Sequence, residues 1–121
     1  MRRSKALKRR DLRRLKRKKR IRGRIFGTKD VPRVSIYKSN RYLIIQAIDD
    51  ENANTLVFLN TAHLENKIRS NINGAKEAGV IFANKLKEAN IEKVKFDRNG
   101  YKYHGVVAAF ADSLRENGIK L

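Results

Sequence analysis

Residues 75–97, AKEAGVIFANKLKEANIEKVKFD, place a helix directly before a strand. Ala75, Ala78, Gly79, Phe82, Leu86 and Ala89 recur at helical spacing on one face, with Lys76, Glu77, Asn84, Lys87 and Glu88 opposite. Asn90 closes the helix, and Ile91-Glu92-Lys93-Val94-Lys95-Phe96-Asp97 reads as the strand that follows. A strand reached through a helical crossover lies parallel to a neighbour in its sheet. The fold must therefore hold a parallel pair beside any hairpins that precede it.

Upstream, Pro32 sits where a strand can begin without losing an interior ladder bond, and Arg33-Val34-Ser35-Ile36-Tyr37-Lys38 alternates with period two. Turn residues Ser39-Asn40-Arg41 lead into a more apolar, central strand, Tyr42 to Asp49. The turn Asp50 to Asn54 then leads to Thr55-Leu56-Val57-Phe58-Leu59-Asn60, completing an antiparallel three-strand meander. Thr61 to Arg69 reads as a short helix capped by Thr61, with Leu64 and Ile68 on one face, and Ser70 to Gly74 as loop. Downstream, a last helix from about Gly105 carries Val107, Phe110, Ala111 and Leu114 on one face. It stops at Asn117-Gly118, where Gly suits the left-handed position and lets Ile119 fold back. The expected architecture is βββαβα, a mixed α/β (α+β) sheet with its helices packed against it, and no internal repeat.

Before this body comes RRSKALKRRDLRRLKRKKRIRGR, residues 2–24. Residues 1–30 hold sixteen Lys and Arg against two Asp, and residues 31–121 fourteen against ten, so most of the +18 net charge lies in the arm. Leu7, Leu12, Leu15 and Ile21 are too sparse to give it a core. Ordering each backbone residue costs about 1–2 kcal/mol, and like charges at i,i+4 spacing add ~0.2–0.5 kcal/mol per pair, so order must come from a partner, of which a polyanion is the obvious one. Good helix propensity, a potential cap at Ser4 and a single break at Gly23 predict a helix laid along phosphates.

The arm's candidate phosphate contacts are Arg2, Arg3, Lys5, Lys8, Arg9, Arg10, Arg13, Arg14, Lys16, Arg17, Lys18, Lys19, Arg20, Arg22 and Arg24. It has no Phe or Trp and no continuous apolar face with which to enter lipid, so nucleic acid is favoured over a membrane. The plainer alternative is a solubilising or targeting tail. Gly23, Gly27 and the Thr28 to Pro32 stretch join arm to body, dividing the chain into an arm, 1–27, disordered when free, and a domain, 28–121.

About ninety residues beyond the arm suit one domain with a small core. Absence of cysteine excludes disulfides and thiolate metal sites, and cytosol is the default compartment. No apolar stretch follows the basic start as in a signal peptide, and none is long enough to cross a membrane.

A second informative stretch, Phe96-Asp97-Arg98-Asn99-Gly100-Tyr101-Lys102-Tyr103-His104-Gly105, is rich in groups that a core cannot use. Arg98, Lys102 and His104 can contact phosphates, Tyr101 and Tyr103 offer stacking faces, and Gly105 opens a helix whose free N–H groups attract anions. Each also has a plainer use: Asp97 can cap a turn, Gly100 can supply positive φ, one Tyr can be core, and His104 can bond to backbone.

This ten-residue segment, with Lys38-Ser39-Asn40-Arg41-Tyr42, Gln46-Ala47-Ile48-Asp49-Asp50 and the arm, resembles the bacterial large-subunit ribosomal protein eighteen family, which binds 5S rRNA. The resemblance spans nearly the whole chain. It implies a mixed α/β body seated on 5S rRNA, with the arm threading between that RNA and the large-subunit rRNA, near other proteins of the central protuberance. It also implies no catalysis, no cofactor and no small-molecule substrate. Carried over by motif, the RNA contacts are the arm, then Arg33, Ser35, Lys38, Ser39, Asn40 and Arg41, then Arg98, Asn99, Gly100, Tyr101, Lys102, Tyr103 and His104. Asn99-Gly100 stands where two glycines are common in the family, and Asn tolerates the same backbone angles.

Four other functions are weighed by their chemistry. A Mg²⁺ nuclease would use Asp49, Asp50, Glu51 and Asp97 at strand ends, although the first three are more economically turn residues. His63 and His104 lack metal-ligand spacing, and no Gly-x-Ser-x-Gly elbow occurs. An architectural DNA binder shares the charge balance, but the Tyr-bearing loop suits RNA better than duplex DNA.

Overall fold

The structure is a computed structural model, described for residues 13–14 and 25–121. Alternation of apolar and polar residues builds three strands, β1 (Arg33–Lys38), β2 (Leu43–Asp49) and β3 (Asn54–Asn60). β1 pairs antiparallel with β2, which pairs antiparallel with β3. Helix α1 (Ile72–Glu88) then crosses over to β4 (Lys95–Asp97), and helix α2 (Gly105–Glu116) follows. The sheet order among the described residues is β3-β2-β1-β4, with β4 parallel to β1 as the crossover requires. The βββαβα expectation holds.

One sheet face is buried and the other open. Val34, Ile36, Leu43, Ile45, Ala47, Val57 and Leu59 pack with Ala75, Ala78, Phe82, Leu86, Val107, Phe110 and Leu114 of the helices in one core. Phe110 joins the layers, its ring centroid 6.1 Å from that of Phe82 and 6.2 Å from that of Phe96, within the range of favourable tilted ring pairs. The α1–α2 contact is close because Gly79 lies where a side chain would strike Ser113, whose hydroxyl donates to the Lys76 carbonyl at 2.7 Å. The β2–β3 register shifts between Ala47 and Ile48, a bulge that sets half-buried Leu56 against the core.

Four local expectations need correction. Thr61–Arg69 is not a helix beyond the single 3-10 turn Thr61–His63, and its cap is Asn60, whose side chain accepts from the Ala62 N–H. Thr61 is fully buried, with its hydroxyl accepting from the Leu43 N–H at 3.0 Å. Helix α1 begins at Ile72 rather than Ala75, because Asn71 caps it through the Gly74 N–H at 2.7 Å. The fourth strand is confined to Lys95–Asp97; Ile91 and Val94 are both buried, but their three-residue spacing does not fit the period of two that one strand face would give. Gly27 does not act as a free joint: its N–H donates to Asp50 Oδ2 at 2.7 Å and its carbonyl accepts from the Asp50 N–H at 2.9 Å.

The C-terminal turn follows its sequence signal. Gly118 has φ 90°, and the Ile119 N–H reaches back to the Leu114 carbonyl at 3.0 Å with its side chain buried.

Candidate nucleic-acid interface

The loop after β4 is shaped by a tight turn. Asn99 and Gly100 have φ of 56° and 80°, and the Tyr101 N–H donates to the Arg98 carbonyl at 3.0 Å. Two successive left-handed residues inside such a bond define a type I′ turn, for which Asn-Gly is the favoured pair. Asp97 supports it by accepting from the Asn99 N–H at 2.9 Å. Asn99 and Gly100 are buried, so they shape the loop rather than form its outer surface.

This turn throws Tyr101 back onto the end of β1. Its hydroxyl accepts from the Lys38 N–H and donates to the Lys38 carbonyl, both at 3.1 Å. Beyond Lys38, Ser39 organises the β1–β2 turn, its side-chain oxygen accepting from the Tyr42 N–H and donating to the Tyr42 carbonyl, both at 3.0 Å. Two loops far apart in sequence thus form one surface. Lys38, Ser39, Asn40 and Arg41 of one loop and Lys102, Tyr103 and His104 of the other are exposed, and Arg98 is half-buried.

Tyr103 is held at the surface by Arg115, whose Nη1 donates to the phenol oxygen at 2.8 Å and to Asp112 Oδ1 at 3.0 Å. The bond to Tyr103, outweighing the effect of burial and joined by the Asp112 charge, raises the Arg115 pKa above its ordinary value. His104 occupies the N-cap position of α2 without a side-chain capping bond, and Gly105 follows with φ 58°.

Arg33 and Ser35 are both half-buried and lie on the open sheet face, opposite the core-facing Val34 and Ile36. Arg33 is a cross-link rather than a free cation. Its Nε and Nη2 donate to Asp50 at 3.0 and 3.1 Å, and its Nη1 to Asp97 at 3.0 Å. Burial alone would lower its pKa, but bonds and charge from Asp50 and then Asp97 leave it raised. Tyr101 is likewise not an empty stacking face: the Arg14 guanidinium carbon lies 4.1 Å from its ring centroid and Lys38 Nζ 5.6 Å. Of the arm candidates, Arg13 and Arg14 are described, both helical. Arg2, Arg3, Lys5, Lys8, Arg9, Arg10, Lys16, Arg17, Lys18, Lys19, Arg20, Arg22 and Arg24 lie outside the described residues, as does Ser4.

Of the acidic candidates, Asp49, Asp50 and Asp97 are occupied by structural bonds. Asp49 accepts from the Glu51 N–H and from Asn52 Nδ2, while Asp50 and Asp97 hold Arg33. Asp49 and Asp97 thus serve the turns that the plainer reading gave them, while the ion pairs of Asp50 and Asp97 with Arg33 go beyond it.

Sequence reasoning missed two sets of residues. The Ser70 N–H donates to the Arg41 carbonyl at 2.7 Å, which brings exposed Arg69 beside the β1–β2 turn. Exposed Tyr37 and Phe58 stand on the open sheet face. The period-two alternation already opposed them to the core residues and was the signal available.

Residues 8–121 match the family model described as ribosomal L18 of archaea, bacteria, mitochondria and chloroplasts. The chain is 56% identical over 117 residues to the large ribosomal subunit protein uL18 of Wolinella succinogenes, covering 97% of this chain and 98% of that one. The protein of the same name from Helicobacter hepaticus is also 56% identical over 117 residues, with the same coverage. That of Borrelia hermsii is 50% identical over 116 residues, covering 95% of this chain and 98% of its own. The chain therefore belongs to the ribosomal L18 family of large-subunit proteins, structural parts of the ribosome with no enzymatic activity.

Proposed function

We propose that this protein binds 5S rRNA and helps attach it to the large-subunit rRNA in the central protuberance of the cytoplasmic ribosome, beside neighbouring ribosomal proteins. The observation that carries this is the composite surface joined by Tyr101. Lys38, Asn40, Arg41, Lys102 and Tyr103 project from two loops held in fixed relation, as recognition of one folded RNA requires. The body, residues 28–121, supplies contacts that depend on RNA shape. The arm, residues 1–27, adds phosphate neutralisation and becomes helical on the RNA. Arg33 serves by positioning the strands beneath that surface.

Binding of the full chain to 5S rRNA, tRNA and duplex DNA at near-physiological salt tests this. Roughly a hundredfold or greater preference for 5S rRNA is the expected result. Equal binding to all three would leave only a polycation on a folded body and overturn the assignment.

A further inference from the structure

Tyr101 carries the chemistry of a base-stacking residue, yet its ring already holds a cation from the same chain. Arg14 lies 4.1 Å from the centroid, well inside the ~6 Å range of cation–π attraction. The ring is fixed, because its hydroxyl is bonded to both the N–H and the carbonyl of Lys38. Arg14 Nε is buried and has no hydrogen-bond partner among the described residues. A guanidinium held by its face, with Nε turned inward, keeps its outer edge for an anion.

We propose that Tyr101 is the seat that registers the arm on the body. Arg14 stacks on the ring as the arm folds along RNA, and the outer edge of its guanidinium meets a phosphate. The arm and the two loops then bind as one unit rather than as two tethered ones. Arg13, exposed and adjacent, contributes charge without the seat. This inference rests on the RNA-binding function proposed above.

The test is a double-mutant cycle in the full-length chain, with affinities measured for both 5S rRNA and tRNA. Arg14→Ala and Tyr101→Leu should each weaken binding by roughly three- to thirtyfold, and the double variant should bind no more weakly than the worse single one. Losses that multiply would overturn the seat, since independent contacts add their free energies. Arg13→Ala is the control and should multiply with Tyr101→Leu. The wild-type preference between the two RNAs reports separately on the proposed function, and the cycle is read on whichever RNA binds. If Tyr101→Leu does not fold, isotope-labelled arginine in the RNA-bound wild type replaces the cycle. Arg14 Nε–H should be shifted upfield of Arg13 Nε–H by the ring current and remain so in Tyr101→Phe; an unshifted Arg14 signal would overturn the proposal.

Discussion

Arg33 holds both carboxylate oxygens of Asp50, through Nε at 3.0 Å and Nη2 at 3.1 Å, where the two side chains are only 11% and 9% exposed. Asp50 also accepts from the Gly27 N–H, and the remaining Arg33 nitrogen, Nη1, donates to Asp97 on β4. One guanidinium therefore ties the β2–β3 turn to the parallel edge strand and, through Asp50, to Gly27 at the end of the arm. Removing one partner of such a pair leaves buried charge unmatched, at a cost of about 3–5 kcal/mol. Arg33→Met is expected to lower the denaturant midpoint accordingly. A midpoint within error of wild type would mean that the cross-link contributes nothing to the fold.

The helix pair gives a second expectation. A Cβ on Gly79 would clash with both Cβ and Oγ of Ser113. Alanine gains about 1 kcal/mol of helix propensity over glycine, but overpacking a tight contact costs about 1–3 kcal/mol. Gly79→Ala should be destabilising by about 1 kcal/mol, and Ser113→Gly in the same chain should relieve the clash while losing the bond to Lys76. Thermal melts of both variants check this: coupling between them, rather than additive loss, is the expected result.

What could be read from the sequence was what local periodicity and turn chemistry control. Val34 and Ile36 alternate with Ser35 and Tyr37, the α1 stripe ends at Asn90, and Gly118 turns Ile119 back onto α2; the structure has all three. Ile72-Asn73-Gly74 reads as loop because Asn and Gly disfavour helices, yet Gly74 is needed there, since a Cβ would strike the Arg69 carbonyl. The site was harder to read because its contacts are distant. Arg33 meets carboxylates 17 and 64 residues away, and Tyr101 pins a backbone 63 residues away. Arg33 as a motif residue carried no sign that its charge was internally matched, and Tyr101 and Tyr103 looked equivalent until their partners were placed.

The two tyrosines should separate in experiment. Tyr101 is half-buried against the core with two backbone bonds, so Tyr101→Ala should cost about 2 kcal/mol of stability. Tyr103 is 42% exposed and bonded to an exposed arginine, so Tyr103→Ala should fold with less than about 1 kcal/mol of loss. If its ring takes a base, 5S rRNA affinity falls by the equivalent of about 1–3 kcal/mol. Chemical denaturation beside a binding titration distinguishes the two roles. Unchanged affinity for folded Tyr103→Ala would remove that ring from the RNA surface.

Charge distribution sets the last expectation. Residues 1–30 hold sixteen of the thirty Lys and Arg, whereas the joined loops offer Lys38, Arg41, Arg98 and Lys102. A protein engaging roughly 6–10 phosphates loses about 10³–10⁵ in affinity between 50 and 200 mM salt, while four contacts lose on the order of a hundredfold. Deleting residues 1–20 should therefore move the salt dependence from the first range toward the second. The preference for 5S rRNA over tRNA should survive in part, because the loops that read RNA shape remain. A truncated chain with an unchanged salt slope would show that the arm takes no phosphates, and its cations would then act only by long-range attraction during encounter.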